Sequence, residues 1–372
     1  MTFLGFSHQC LLHIAAFISS FIPTKNHVIY DVVIVRVDAL GDYVIWHDAI
    51  SSYQRRFKGK RVLLVCADLI RPLVEQESFF SVIIDFNRQS VRKFRHFLRL
   101  MRQLKSIKSS VVLYPCWERH TIGDAIVLQI KSLQKISMQP LGTFNVITKL
   151  YNRQYHSLIS GNFQQNEISA VEYFTQKVVS PEYKYGYSIF VVSQQEILSI
   201  PAQKYIVVAF SASSERKTWE LEKFVDVLDN IPSKYSIVLT GSGKDDVNNA
   251  NRIISLANNK GQIVNMVNQT SVVQLVALIS HSSLVIGNDS AAVHIAAAVR
   301  VKSVCILQGA HFGRFLPYPD DIPFRDYAPS CVFREMECFN CNYHCVFKNQ
   351  LPFECLKRIS AEMVIDKVKE LL

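Results

Sequence analysis

The stretch Leu284-Val285-Ile286-Gly287-Asn288-Asp289-Ser290-Ala291-Ala292-Val293-His294-Ile295-Ala296-Ala297-Ala298 leaves few folds open to the chain. An apolar run of strand length breaks at Gly-Asn-Asp and resumes as an Ala-rich segment of high helical propensity. Ser290 or Asp289 can cap that helix, whose first backbone N–H groups then point into the turn. Such a corner suits an anion, above all a phosphate or pyrophosphate. His294 lies four residues past Ser290 on the same helix face and can add a polar contact. The plainer alternative is a core helix capped by Asp289 and Ser290, with His294 buried and satisfied.

The same alternation runs along most of the chain. Strands are expected at 31–36, 61–66, 81–85 and 111–114, and a helical segment at 43–57. A second series of strands falls at 205–210, 236–240, 262–267, 284–286 and 303–307, with helices at 220–230, 245–258, 271–280 and 291–299 between them. Strands alternating with helices give parallel sheets covered on both faces. With 372 residues the chain exceeds one average domain, so two are expected. Their junction should fall near 180–200, and two such units leave a cleft between them. In open α/β sheets the ligand sits outside the carboxyl ends of the strands.

Lysine and arginine number 41 against 31 acids, a net charge of +10. That balance suits a phosphate-bearing partner: nucleic acid, an anionic membrane surface or a phosphorylated small molecule. A helix expected at 91–108 sharpens the question. Its apolar face is Val91, Phe94, Phe97, Leu98, Met101, Leu104 and Ile107. The other face carries Arg92, Lys93, Arg95, Arg99, Arg102, Lys105 and Lys108 and no acid. Phe94 and Phe97 are expected to face the core, so no recognisable nucleic-acid module interleaves aromatics with these cations.

Residues 1–22 are apolar without a basic lead, and 11–22 is too short to span a bilayer, so an interfacial or core-packed helix is expected. Five of the nine cysteines fall in the last 42 residues, which does not resemble a disulfide framework. An intracellular protein is the expectation. Cys338-x-x-Cys341-x-x-x-Cys345 with Cys355 can close a zinc site or remain as reduced thiols, and both readings stay open.

Four loops after strands gather the chemistry. Arg36-x-Asp38-x-x-Gly41-Asp42 presents a carboxylate at a helix start, either an N-cap or a general base. Ser211-Ala212-Ser213-Ser214-Glu215-Arg216-Lys217 joins small hydroxyl residues to two cations. Thr240-Gly241-Ser242-Gly243 is a phosphate cradle or a tight turn. The fourth is the corner at 287–294.

Together, in this order and spacing, Arg36-x-Asp38-x-x-Gly41-Asp42, Lys217-x-Trp219, Val238-Leu239-Thr240-Gly241 and Gly287-Asn288-Asp289-Ser290 with His294 resemble glycosyltransferase family 9, the heptosyltransferase-like enzymes of lipopolysaccharide assembly. The resemblance covers nearly the whole chain from about Asp31. It implies an α/β GT-B fold: residues 29–190 as the acceptor-side Rossmann-like domain, and 191–330 as the nucleotide-sugar donor domain. Residues 1–28 then form an apolar extension, and 331–372 a cysteine-bearing tail whose final helix packs back towards the first domain.

The resemblance assigns Asp42 as catalytic base and Lys217 to the donor diphosphate. It assigns Asp289, Ser290 and the backbone at Ala291 to donor binding with His294 close by, the loops above add Ser213, Thr240 and Gly241, and Arg36 and Asp38 fall on the acceptor side, where the acid-free basic helix adds Arg95 and Arg99. Ala291 stands where the family usually has Gly, and adds a methyl group near the phosphates. The expected partners are an ADP-heptose-like sugar nucleotide and a glycolipid or lipopolysaccharide acceptor. They are met in the cytoplasm or peripherally at the inner membrane, without nucleic acid or cofactor and with no metal among the site residues. A catalytically silent GT-B sugar-nucleotide binder and a GT-B sugar-nucleotide epimerase are the alternatives.

Overall fold

The computed structural model describes every residue except 1–2, 22, 25, 141–145, 162–165, 187–189, 192–202, 213 and 348–350, and only the backbone of residues 3–11. The chain forms two compact units. One comprises Met1–Tyr43, Ala49–Gln164 and Ala170–Lys184; the other comprises Val44–Asp48, Gln165–Ser169 and Tyr185–Leu372.

The first unit is a six-stranded parallel sheet of β1 (Val28–Arg36), β2 (Val62–Ala67), β3 (Val82–Phe86), β4 (Ile107–Tyr114), β5 (Lys131–Met138) and β6 (Ser157–Ile159). The strand order is β3-β2-β1-β4-β5-β6, so the chain reverses direction across the sheet between β1 and β4. Val33, Val35, Leu63, Val65 and Val112 are fully buried, the near-continuous apolar pattern of strands covered on both faces.

After β1 the chain turns into α2 (Leu40–His47), then breaks at Asp48–Ala49 before α3 (Ile50–Arg56), where the sequence suggested one helix. At the break the buried Asp48 carboxylate accepts the Gly186 N–H at 3.0 Å. α4 (Arg71–Val74) follows β2.

The basic helix is α5 (Phe94–Lys105), which buries Phe97, Leu100, Met101 and Leu104. Phe94 departs from the expectation: it is 47% exposed, because it opens the helix beyond the edge of the core. The apolar start of the chain is α1 (Phe3–Phe21). It packs on α5 and on α6 (Thr121–Gln129), with Leu12 and Ala16 inside the first unit's core. Lys105 Nζ donates to the Ser19 carbonyl, and Gln129 Nε2 to the Ala16 carbonyl at 2.8 Å. Two further helices, α7 (Val146–Asn152) and α8 (Glu167–Val178), follow β5 and β6.

The second unit repeats the plan with β7 (Tyr205–Ala209), β8 (Ser236–Leu239), β9 (Ile263–Asn265), β10 (Leu284–Asn288), β11 (Ser303–Ile306) and β12 (Ser330–Val332). Their order is β12-β11-β10-β7-β8-β9, so the reversal here lies between β7 and β10. Helices α9 (Leu221–Asp229), α10 (Lys244–Leu256), α11 (Val272–Ser280), α12 (Ala291–Ala298) and α13 (Glu354–Lys357) cover it. The final helix, α14 (Ala361–Leu371), was expected to pack towards the first domain. It places Val364 and Val368 in the second unit's own core, against α9 and strands β11 and β12. Two fully buried valines contribute about 1.5–3 kcal/mol each, enough to fix the helix there.

Candidate functional site: the β10–α12 corner and the loop after β1

Both places where the chain reverses direction across a sheet coincide with loops singled out above. In such sheets the reversal opens a crevice at the carboxyl ends of the two strands. In the second unit, that crevice is bounded by the loop after β7 and the corner after β10.

Asn288 ties the two loops together. Fully buried, it donates through Nδ2 to the Phe210 carbonyl at 2.6 Å and accepts the Trp219 N–H on Oδ1 at 3.1 Å. Trp219 in turn donates from Nε1 to the Ile359 carbonyl at 3.1 Å and meets Phe224 edge-on. Gly287 precedes Asn288 because β7 lies close: a Cβ there would stand 3.0 Å from the Ala209 carbonyl oxygen. The Lys217-x-Trp219 spacing therefore has a physical reason. Trp219 anchors the loop and Lys217 is delivered to the corner.

Lys217 Nζ pairs with Asp289 Oδ2 at 2.7 Å. Asp289 is thereby committed to Lys217, and Ser290, at the N-cap of α12, makes no capping bond through its side chain. Its Oγ is buried without a hydrogen-bond partner among the described residues. The Ser290 cap is thus absent, and its unused hydroxyl lies at the N-terminus of α12, where the first helical N–H groups point. Ala291 begins α12 as a regular helical residue and is not among the positive-φ positions, so only its methyl group distinguishes it from glycine.

His294 is buried and shares a 2.8 Å hydrogen bond between Nδ1 and the Tyr318 hydroxyl. Burial lowers its pKa to about 4, with Asp289 opposing and Lys217 assisting. A neutral imidazole gives no cationic contact to a phosphate, and the plainer role of a satisfied core histidine describes its geometry.

The charge comes from elsewhere. The Arg216 guanidinium lies 5.3 Å over the Tyr343 ring, and Arg314 lies 4.5 Å over Phe315. Burial raises the Tyr343 hydroxyl, while Lys217, Arg216 and Arg314 act against that rise and Asp289 with it. Three cations and one acid thus influence a single ring. Arg314 and Tyr343 were not picked out from the sequence. Arg314 had a signal, in the aromatic run His311-Phe312-Gly313-Arg314-Phe315 after β11; Tyr343 sits among the tail cysteines and had none.

The loop after β8 is closed on itself. Ser242 N–H donates to Asp246 Oδ2 at 2.7 Å and Gly243 N–H to Asn268 Oδ1 at 2.7 Å, so these amides hold the turn. Thr240 is buried and donates its N–H to the Val208 carbonyl at 3.0 Å. Gly241 accepts from Asn268 N–H at 3.0 Å. Ser213 lies outside the described residues.

In the first unit the loop after β1 is built around Arg36, which is 1% exposed. Its guanidinium donates to the Pro115 carbonyl at 2.6 Å and the Asp42 carbonyl at 3.1 Å, and pairs with Asp38 Oδ2 at 2.7 Å. The Ala39 N–H donates to Asp42 Oδ2 at 2.9 Å. Asp42 and not Asp38 holds this backbone amide, because Asp38 is drawn to the buried arginine. Arg36 and Asp38 are inward-facing and shape the loop, whereas Arg95 and Arg99 are exposed on α5.

A buried cluster that the sequence did not announce lies after β4. Asp124 accepts from the Tyr155 hydroxyl at 2.6 Å and approaches Arg119 at 3.3 Å. Burial lifts its carboxyl to about 6 against the pull of Arg119 and Tyr155.

Two Rossmann-like units of this order, with a cation-lined helix start in the second, define a glycosyltransferase of the GT-B class. The chain belongs to glycosyltransferase family 9 (heptosyltransferase), whose sequence profile matches residues 98–324. Lipooligosaccharide heptosyltransferase 2 of Campylobacter jejuni is 22% identical over 337 residues, spanning 90% of this chain and 95% of its own. Lipopolysaccharide heptosyltransferase 3 of Escherichia coli is 32% identical, over 32% of this chain and 35% of its own. Among solved structures, the family 9 glycosyl transferase of Veillonella parvula superposes with a TM-score of 0.66 at 15% identity, covering 92% of this chain and 97% of that one. An E. coli heptosyltransferase solved with ADP-2-deoxy-2-fluoro heptose gives 0.64 at 14%, covering 92% and 100%.

Proposed function

We propose that this family member transfers a heptose from an ADP-heptose-type donor to a lipopolysaccharide or lipooligosaccharide acceptor, working at the cytoplasmic face of the inner membrane. The observation that carries the donor reading is the start of α12, where Ser290 Oγ is buried without a partner beside the Lys217–Asp289 pair. A diphosphate oxygen would accept from the Ser290 hydroxyl at this helix start, and Arg216 and Lys217 offset the charge growing on the leaving diphosphate. On the acceptor side, Asp42 takes the proton of the attacking sugar hydroxyl as the donor's sugar–phosphate bond breaks. Relatives named for heptose transfer, and one solved with an ADP-heptose analogue, support this choice of donor.

The test is ligand-induced stabilisation of the full chain. ADP and ADP-heptose should raise its unfolding free energy by about 2.7 kcal/mol at a hundredfold excess over the dissociation constant. UDP and GDP should do so less. Lys217→Ala should weaken ADP binding by at least about tenfold. Equal stabilisation by all three nucleotides would remove the adenine part of the reading, and unchanged affinity in Lys217→Ala would remove the placement.

A further inference from the structure

The carboxyl end of α12 closes on a residue that the backbone does not favour. Val301 N–H donates to the Ala296 carbonyl at 2.8 Å and Arg300 N–H to the Ala297 carbonyl at 3.2 Å, with Arg300 at φ 61°. A helix that ends in this pattern has one left-handed residue, usually glycine. A side chain is disfavoured there, because its Cβ crowds the following carbonyl oxygen. Arginine at this place therefore points to a task for the guanidinium.

That guanidinium lies 4.3 Å from the centre of the Phe324 ring. It donates through Nη1 to the Ala297 carbonyl and through Nη2 to the Gly186 carbonyl, each at 2.8 Å. Gly186 in turn donates its N–H to the buried Asp48 carboxylate, the residue that follows α2. Gly186 takes φ 97°, and a Cβ on it would stand 2.7 Å from the Phe324 ring, so both backbone and neighbours oppose a side chain there. A parallel link runs through Phe190. Its N–H donates to the Ala298 carbonyl at 3.1 Å, and its ring lies 4.0 Å from that of His47, the last residue of α2. All these residues fall in the second unit, which takes in Val44–Asp48 as well as Tyr185–Leu372.

From this chain of contacts we infer that Arg300 and Asp48, acting through Gly186, fasten the carboxyl end of α2 to that of α12 and so set the direction of α2. The consequence for catalysis rests on the reading of Asp42 as base. Asp42 stands in the first turn of the same helix, six residues before Asp48. Six residues are about 9 Å of helix, so a pivot of about 6° at the fastened end moves Asp42 by about 1 Å. A shift of that size can cost about a hundredfold in rate. Arg300 and Asp48 are positioning residues: they act on α2 and not on substrate.

Arg300→Gly in the full chain tests this without straining the backbone, since glycine is the residue that the left-handed turn favours. Its urea midpoint should stay near that of the wild type. Its kcat for transfer from ADP-heptose to lipooligosaccharide should fall roughly ten- to hundredfold, with ADP affinity kept within about twofold. Asp48→Ala should behave alike, and because both side chains hold Gly186 the double variant should lose no more than the worse single one. In an Asp42→Asn background, Arg300→Gly should lower turnover no further, which a general loss of stability would not reproduce. Wild-type kcat in Arg300→Gly, additive losses in the double variant, or an equal further loss on top of Asp42→Asn overturns the positioning role. Amide hydrogen exchange read by mass spectrometry separates this from the base reading. Peptides covering 44–48 should exchange faster in both single variants than in the wild type. If Asp42→Asn keeps wild-type turnover, the base reading fails; faster exchange then still upholds the fastening of α2, and unchanged exchange overturns it.

Discussion

Asp42 and His294 show how far a residue's role depends on its partners. Both were conspicuous in the sequence for their places after strands, and neither sits as an isolated functional group. Asp42 accepts the Ala39 amide through one carboxylate oxygen, which orients it as a fixed base would need to be. Asp42→Asn can keep that bond while losing basicity, so turnover should fall by at least about a hundredfold with ADP affinity unchanged. Retained turnover would disqualify it, and loss in Asp38→Asn alone would transfer the role. His294 makes a different prediction. Its native pKa of about 4 lies below the ordinary 6.5, so between those values the unfolded chain takes up a proton that the native one refuses. Its contribution to stability is present above about pH 6.5 and is lost as pH falls towards 4. Replacing it by Gln should flatten the pH dependence of the urea midpoint across that window. An unchanged slope would mean that other groups govern acid sensitivity there. These partners were illegible in the sequence: nothing local to His294 announces Tyr318, and nothing local to Asp38 announces that Arg36 is buried.

At the scale of elements, legibility followed apolar periodicity. α5 was read from its spacing and occurs as Phe94–Lys105, and β7 to β11 were read from short apolar runs. β5, Lys131–Met138, escaped because Lys, Ser and Gln occupy five of its eight positions, leaving no run and only a weak alternation. β12 escaped because it has only three residues. The apolar start was read as interfacial or core-packed, and α1 packs into the core along one face while leaving apolar side chains exposed on another. Leu12 and Ala16 are in the core, while Ile14, Ile18 and Phe21 are 55%, 60% and 83% exposed at helical spacing. No described helix is long and apolar enough to cross a membrane. An apolar row on α1, packed beside the cations of α5, suits the boundary between headgroups and acyl chains of an anionic bilayer. Vesicles of phosphatidylethanolamine and phosphatidylglycerol should therefore sediment the protein at low salt. Ile14→Ser with Ile18→Ser should weaken that binding independently of salt. Arg95→Glu, Arg99→Glu and Arg102→Glu should abolish it. Equal binding to neutral vesicles, or none to either, would refute the membrane role of these helices.

The whole molecule carries its excess charge unevenly, and that separates two accounts of how it meets an acceptor. Its net charge of +10 sets up a long-range field that would attract any polyanion, whichever face the polyanion approaches. A local account assigns the attraction to α5 and its flanks, where Arg92, Lys93, Arg95, Arg99, Arg102, Lys105 and Lys108 fall within 17 residues of sequence without an acid. The two-unit architecture was legible because both halves repeat one alternation of strand and helix. The distribution of charge over the folded surface was not, since it depends on which cations are consumed internally, as Arg36 is. Equal reversals distinguish the accounts. Arg95→Glu, Arg99→Glu and Arg102→Glu change the net charge by as much as Lys244→Glu, Lys260→Glu and Lys369→Glu, and all six side chains are exposed. Under the global account, both triple variants lose kcat/KM for a phosphorylated lipopolysaccharide acceptor equally. Under the local account, which we expect, only the α5 variant loses it. The remaining salt dependence should vanish with that loss, because contacts at a charged surface are screened over about 8 Å at physiological ionic strength. KM for the nucleotide sugar should stay near the wild-type value in both variants. A loss of acceptor kcat/KM shared equally by the two variants would return the attraction to the field of the whole molecule.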